Sequence, residues 1–174
     1  YILCDQVFLR HLLMKGGGIP KLVFTDPPYN LSADFIVKDN SRKNKPARHD
    51  DFAEAAGEMS DKEFVDFLRK VMESATVYTT PGSLHYYFMD WRHVWHMTEA
   101  AREIYGSPIP KQMCVWNKDT MALGSFYRSK HELVFIFKNG EGKHTSHLEL
   151  KDRVRSNVWD YPSANSGANK EKSI

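Results

Sequence analysis

The chain has 174 residues, 41% of them hydrophobic and 26% charged, with a formal net charge of +2. That balance belongs to a globular domain able to bury a core, and it excludes a disordered or fibrous segment. No run of about 18 apolar residues is available to span a bilayer, and Tyr1 opens directly in an apolar stretch with no basic leader, so the chain reads as cytoplasmic, without membrane span or signal peptide.

Taken in chain order, Ile2-Leu3-Cys4-Asp5 reads as a short strand ending in an acid, followed by a helix-like stretch over 6–15. Gly16-Gly17-Gly18 invites a reading as a cofactor loop, but a nucleotide-binding glycine turn follows a strand and opens a helix. Here the triplet follows a helical pattern and precedes Ile19-Pro20, which makes it a helix cap and linker. Leu22-Val23-Phe24-Thr25 is a short apolar strand that ends in Asp26-Pro27-Pro28-Tyr29. The two prolines fix φ and remove their own N–H groups, so this corner offers hydrogen-bond acceptors only. Over 34–48 the basic residues Lys38, Arg42, Lys43, Lys45 and Arg48 outnumber Asp34 and Asp39, whereas 50–73 is acidic. On charge alone a solvated loop and a phosphate-binding loop explain the basic stretch equally. Its place directly after the corner favours a segment that orders over a polyanion.

Ser60-Asp61-Lys62-Glu63 is a capping box, and Phe64, Phe67, Leu68, Val71, Met72 and Ala75 follow at helical spacing, so the pattern predicts a helix over 60–75 with a core-facing stripe. Pro81-Gly82 turns into a buried-type strand over 83–89, and a second helix is expected over 91–105, stopped by Gly106-Ser107-Pro108. Strands are expected at 113–116 and 132–138. Cys4 and Cys114 lie in strand-like context and read as reduced thiols. His93 and His96, like His144 and His147, are three apart, but neither pair has a third ligand at a recognisable spacing, and no metal site is expected. His131-Glu132 fits a buried network and a surface facing a ligand equally. Alternating strand and helix argue an α/β fold with a mainly parallel sheet and a terminal antiparallel hairpin.

Asp26-Pro27-Pro28-Tyr29 resembles the Asp/Asn/Ser-Pro-Pro-Tyr/Phe motif of the DNA amino-methyltransferases that act on adenine N6 or cytosine N4. Further landmarks agree in order with the family's permuted β group. Ile2-Leu3-Cys4-Asp5 is similar to its strand ending in an acid, although the family usually has Gly where this chain has Cys4. Cys114-Val115-Trp116-Asn117-Lys118 resembles its Trp-x-Lys strand, and the run from Gly124 through Arg128 to Glu132 resembles its Gly-x-x-x-Arg-x-x-x-Glu hairpin. Asn157-Val158-Trp159-Asp160-Tyr161-Pro162 is similar to the segment just before the cofactor half.

The resemblance implies a partial Rossmann-like methyltransferase sheet. In the family's strand order 3-2-1-4-5-7-6, this chain would supply strands 3 to 7 and lack the central pair. Residues 1–140 would form the catalytic part, with 30–59 a flexible loop, and 141–174 a target-recognition or linker segment leading to an absent cofactor half. The implied reaction is methyl transfer from S-adenosylmethionine to N6 of a flipped adenine in double-stranded DNA, adenine being preferred because the motif begins with Asp26. Asp26 and the Pro27 carbonyl would accept from the amine, Pro28 would shape the turn and Tyr29 would stack. Asp5 and Asp26 would approach the cofactor. Lys38, Arg42, Lys43, Lys45, Arg48, Lys118, Arg128 and Lys130 would contact DNA. The resemblance further implies a restriction-modification setting, a need for the absent half or a complementing chain, and room for a homodimer. A methyltransferase acting on adenine or guanine amines of RNA, and a non-enzymatic DNA-binding module, remain as alternatives.

Overall fold

The computed structural model describes residues 18–31, 59–122, 126–144 and 154–163. The expected strand at 2–5, the helix at 6–15 and the basic stretch at 34–48 lie outside the described residues, as do Gly16, Gly17, Gly124, His147 and the segment from 164 onward.

Among the described residues five strands form one sheet. In chain order they are β1 (Leu22–Thr25), β2 (Leu84–Met89), β3 (Gln112–Asn117), β4 (His131–Lys138) and β5 (Val158–Asp160), and they lie side by side as β1-β2-β4-β3-β5. β1 runs parallel to β2, and β3 parallel to β5, while β4 is antiparallel to both of its neighbours. Four strands therefore share one direction and β4 alone opposes them. The β1-β2-β4-β3 portion reproduces the 4-5-7-6 part of the expected order, and the β3–β4 hairpin is the expected antiparallel pair. β5 continues the sheet beyond that hairpin, a strand that the polar composition of the segment does not announce. It is fixed to β3 by side chains as well as by pairing: the Trp116 indole donates to the Tyr161 carbonyl at 2.8 Å and the Asn117 amide to Asp160 Oδ1 at 2.6 Å.

Two α-helices link the strands among the described residues. α1 (Asp61–Val77) starts where the capping box places it: Ser60 N donates to Glu63 Oε2 at 2.9 Å, and Glu63 N donates back to Ser60 Oγ at 3.4 Å. After β2, the Asp90 carboxylate accepts from Arg92 N at 2.9 Å and opens a single 3-10 turn over Trp91–His93. α2 (Val94–Ile104) then continues to Tyr105, one helix-type junction more than periodicity alone indicates.

Both helices pack on one face of the sheet. Phe64, Leu68 and Met72 from α1, and Met97, Ala100 and Ala101 from α2, close over Tyr87, Met89, Leu133, Phe135 and Phe137. The helical stripe expected to be core is core. The opposite face carries Cys114, Val134 and Ile136 with Leu84, Tyr86, Phe88 and Trp159 around them, and among the described residues no helix covers it. Cys114 is a free, buried thiol whose pKa is raised by desolvation, as befits a packing residue.

A polar network sits inside the helix-covered face. His85 is fully buried, with Nε2 at 2.9 Å from Thr79 Oγ1 and 3.0 Å from Ser83 Oγ, and Nδ1 at 2.7 Å from the Tyr105 hydroxyl, which in turn lies 2.8 Å from that of Tyr87. Burial lowers the His85 pKa from 6.5 to about 4, so the ring is neutral and satisfies both nitrogens locally.

Candidate active site

The carboxyl ends of β1, β2 and β3 and the start of β4 gather at one end of the sheet, because Thr25 stands opposite Tyr87, Met89 opposite Leu133, and Asn117 opposite His131. Ligands of open α/β sheets bind at this end, where loops rather than strands meet solvent. Asp26-Pro27-Pro28-Tyr29 leaves β1 here. Pro27 is buried and Pro28 half-buried, and Tyr29 packs its ring against the helix-covered core.

The Tyr29 hydroxyl donates to Glu132 Oε2 at 2.9 Å, and Lys118 Nζ donates to Glu132 Oε1 at 2.7 Å. Glu132 thus holds the catalytic-type corner from one oxygen and a lysine from the other. The side chains of Lys118 and Glu132 are each only 20% exposed, so the pair is shielded enough to matter yet reached by water. Lys118 Nζ also stands 5.5 Å from the centre of the Trp116 ring, a cation–π distance. These are the conspicuous residues of the Trp-x-Lys strand and of the hairpin, brought together with Tyr29 across the sheet.

Asp26 completes the group. Its carboxyl pKa is raised, chiefly by desolvation, with the polar Tyr29 hydroxyl nearby lowering it, Glu132 raising it and Lys118 lowering it. The residue nevertheless keeps an exposed surface, so its carboxyl oxygens are open to solvent and to an incoming hydrogen-bond donor. The Tyr29 hydroxyl is driven far above its ordinary pKa by burial and by its two carboxylate neighbours, so it remains a donor and never a phenolate.

Asn30 belongs to none of the motifs, and its role is structural. It adopts φ +49°, a left-handed conformation that Asn tolerates better than most residues. Its side chain donates to the Met59 carbonyl at 2.9 Å and accepts from Met59 N at 3.2 Å. The chain that departs after the corner is therefore pinned where it returns, immediately before the N-cap of α1.

Of the other expected site residues, Arg128 and Lys130 are exposed on the β3–β4 connection at the same end of the sheet, Arg128 Nε donating to the Ala122 carbonyl at 2.7 Å. Asp5, Lys38, Arg42, Lys43, Lys45 and Arg48 lie outside the described residues. His93 and His96 meet each other with Nδ1 atoms 3.3 Å apart, and His96 Nε2 lies 3.1 Å from Asp61 Oδ1, so they tie α2 to the start of α1. Among the described residues no group of three or more metal-ligating side chains assembles.

The family profile for the N6/N4 DNA methylases matches residues 21–173. The chain belongs to that family. The match spans both the Pro-Pro corner and the hairpin carrying Glu132, the two segments the structure joins. Solved structures share the fold. TTHA0409 from Thermus thermophilus, described as a DNA modification methylase, is 14% identical with a TM-score of 0.50, over 89% of this chain and 65% of that one. M1.HpyAVI, solved as a complex with SAM, is 10% identical with a TM-score of 0.51, over 95% of this chain and 66% of that one. PvuII DNA methyltransferase, described as cytosine-N4-specific, is 14% identical with a TM-score of 0.54, over 84% and 51%. This chain thus spans less than two thirds of the length of each of these three structures. No curated protein sequence matches the chain significantly.

Proposed function

We propose that the complete protein transfers a methyl group from S-adenosylmethionine to N6 of an adenine extruded from double-stranded DNA. One observation carries the reading: an exposed carboxylate, Asp26, stands beside a Tyr29 ring whose hydroxyl is tethered to Glu132. An exocyclic amine is a poor nucleophile because its lone pair is delocalised into the base. Asp26 and the Pro27 carbonyl accept its two N–H groups and so orient the lone pair toward the donor. Stacking on Tyr29 contributes roughly 1–3 kcal/mol, comparable with an extrusion cost of a few kcal/mol. Methylation leaves the nitrogen acidic, and its proton departs without a strong base.

The described residues suit the amine side of this reaction, since the corner presents acceptors and no competing backbone donor from either proline. S-adenosylmethionine supplies the methyl group when bound, a donor supported by the family and by the complex of M1.HpyAVI with SAM. Asp5 and Asp26 are the chain's own candidates for the cofactor side. Lys38, Arg42, Lys43, Lys45, Arg48, Lys118, Arg128 and Lys130 are the candidates for DNA phosphates, with Lys118 also holding Glu132. The preference for adenine rests on Asp26 at the head of the motif, since a cytosine-N4-specific enzyme has the same fold. A cytoplasmic restriction-modification setting, with a complementing segment or chain and optional dimerisation, fits this reading.

The test is transfer of labelled methyl groups to plasmid DNA by the complete protein, followed by digestion to nucleosides. N6-methyladenine is expected. N4-methylcytosine would overturn the choice of base, and labelling of RNA alone, or of no nucleic acid, would overturn the function.

A further inference from the structure

Phe126 and Tyr127 lie in the connection between β3 and β4 and are 90% and 89% exposed. Their rings sit 4.4 Å apart at 68°, and Phe126 holds φ +63°, a conformation that bulky side chains rarely adopt. Two large aromatic rings held in water on strained backbone contribute nothing to the core, and such strain collects where a segment acts on something else.

The stem beneath them is well fastened. Lys118 N donates to the Lys130 carbonyl at 2.8 Å and Ala122 N to the Ser129 carbonyl at 2.7 Å. Arg128 Nε donates to the Ala122 carbonyl at 2.7 Å, and the Trp91 indole donates to Ser129 Oγ at 3.2 Å. The stem is rooted at Lys118 and Glu132, which bond each other, and Glu132 in turn accepts from Tyr29. Tyr127 stands five residues before Glu132, so its backbone lies within about 18 Å of that residue's backbone. Cationic Arg128 and Lys130 follow the pair directly in sequence.

We infer that Phe126 and Tyr127 form a wedge that enters the duplex beside the target and stacks in the space the extruded base leaves. This rests on the function proposed above and adds a second point of contact: Tyr29 takes the base that leaves, and the pair takes its place. Aromatic faces next to cations match the chemistry of stacked bases between phosphates, whereas an apolar protein partner has no use for the flanking charges. The wedge is a positioning element, since it touches neither the amine nor the methyl donor.

The experiment uses the complete protein and a short duplex carrying the sequence it methylates, with 2-aminopurine at the target, whose emission rises on unstacking. At saturation, confirmed by anisotropy, wild type should raise emission several-fold, and Phe126→Ala/Tyr127→Ala should give less than about a third of that rise. A mispaired target, cheaper to extrude, should restore the emission, as should the conservative pair Phe126→Tyr/Tyr127→Phe. Full emission from the alanine variant on the paired duplex would overturn the wedge, and so would a loss that mispairing fails to rescue. A variant with unchanged emission but altered sedimentation would make the pair an interface between copies instead. Failure of wild type to bind the duplex at all would sink the functional reading and the wedge with it, a result distinct from those that sink the wedge alone.

Discussion

Glu132 is the residue through which the corner is held, and its removal separates holding from chemistry. It accepts from Tyr29 at 2.9 Å and from Lys118 at 2.7 Å. A hydrogen bond to a charged group contributes about 1.5–3 kcal/mol, and at 20% exposure the ion pair is screened toward the lower end of that range. Glu132→Gln keeps the shape and the acceptor for Tyr29 but leaves Lys118 without a counter-charge, so a loss of about 1.5 kcal/mol is expected. Glu132→Ala removes both hydrogen bonds and should cost about 3 kcal/mol. The assay is urea unfolding followed by tryptophan fluorescence, in a double-mutant cycle with Lys118→Met and a second with Tyr29→Phe. A coupling of about 1 kcal/mol or more in each cycle is expected. Coupling below about 0.3 kcal/mol in both would mean that Glu132 does not bind the two elements, and the account of the corner would have to be abandoned.

Asp26→Ala in the complete protein should abolish methylation while leaving DNA affinity nearly unchanged, because the acceptor is removed and the phosphate-binding cations are not; turnover within tenfold of wild type would remove Asp26 from the mechanism. The acid limb of the pH–rate profile should lie above that of an ordinary aspartate, since the folded pKa of Asp26 is raised, and Lys118→Met should move it further up while Glu132→Gln moves it down; shifts of the opposite sign would refute the assignment. Neutralising Lys43, Lys45 and Arg48 together should flatten log affinity against log salt by about 0.9 for each phosphate that is no longer neutralised, and an unchanged slope would mean they touch no phosphate. His85 is held neutral with its pKa lowered from 6.5 to about 4. The unfolded chain therefore binds the extra proton between those values, so the stabilisation is complete above 6.5 and is lost as pH falls toward 4, by at most about 3 kcal/mol. His85→Gln should remove most of that pH dependence, and an equally steep acid decline in the variant would assign it elsewhere.

What the amino-acid pattern conveys and what it hides divide by range. The capping box at Ser60 and Glu63 acts over three residues, and it sets the start of α1 to within one position. The apolar run of β4 is buried from Leu133 to Phe137, and its length alone marks it as an interior strand. β5 has three residues and only its middle one is half-buried, so nothing local separates it from a linker; its cause is pairing with β3, more than forty residues away. The 3-10 turn at Trp91–His93 escapes periodicity for a related reason, because it is imposed by the Asp90 side chain and not by a repeating face.

The site follows the same division. Asp26 to Tyr29 is contiguous and its chemistry can be argued from the residue types, but Tyr29 and Glu132 are 103 residues apart, and no spacing rule links them. His131-Glu132 fits a buried network and a ligand-facing surface equally well as a sequence, and distance decides for the network in the case of Glu132. What brings Glu132 to the corner is strand order. β4 inserts against the direction of its neighbours, so its first residues, not its last, arrive at the carboxyl ends of β1 and β2. A parallel strand in that position would deliver Lys138 there instead. The antiparallel hairpin is thus the topological reason that one carboxylate can hold both the tyrosine of the corner and the lysine that follows β3, and that the loop bearing Phe126 and Tyr127 projects from the same end.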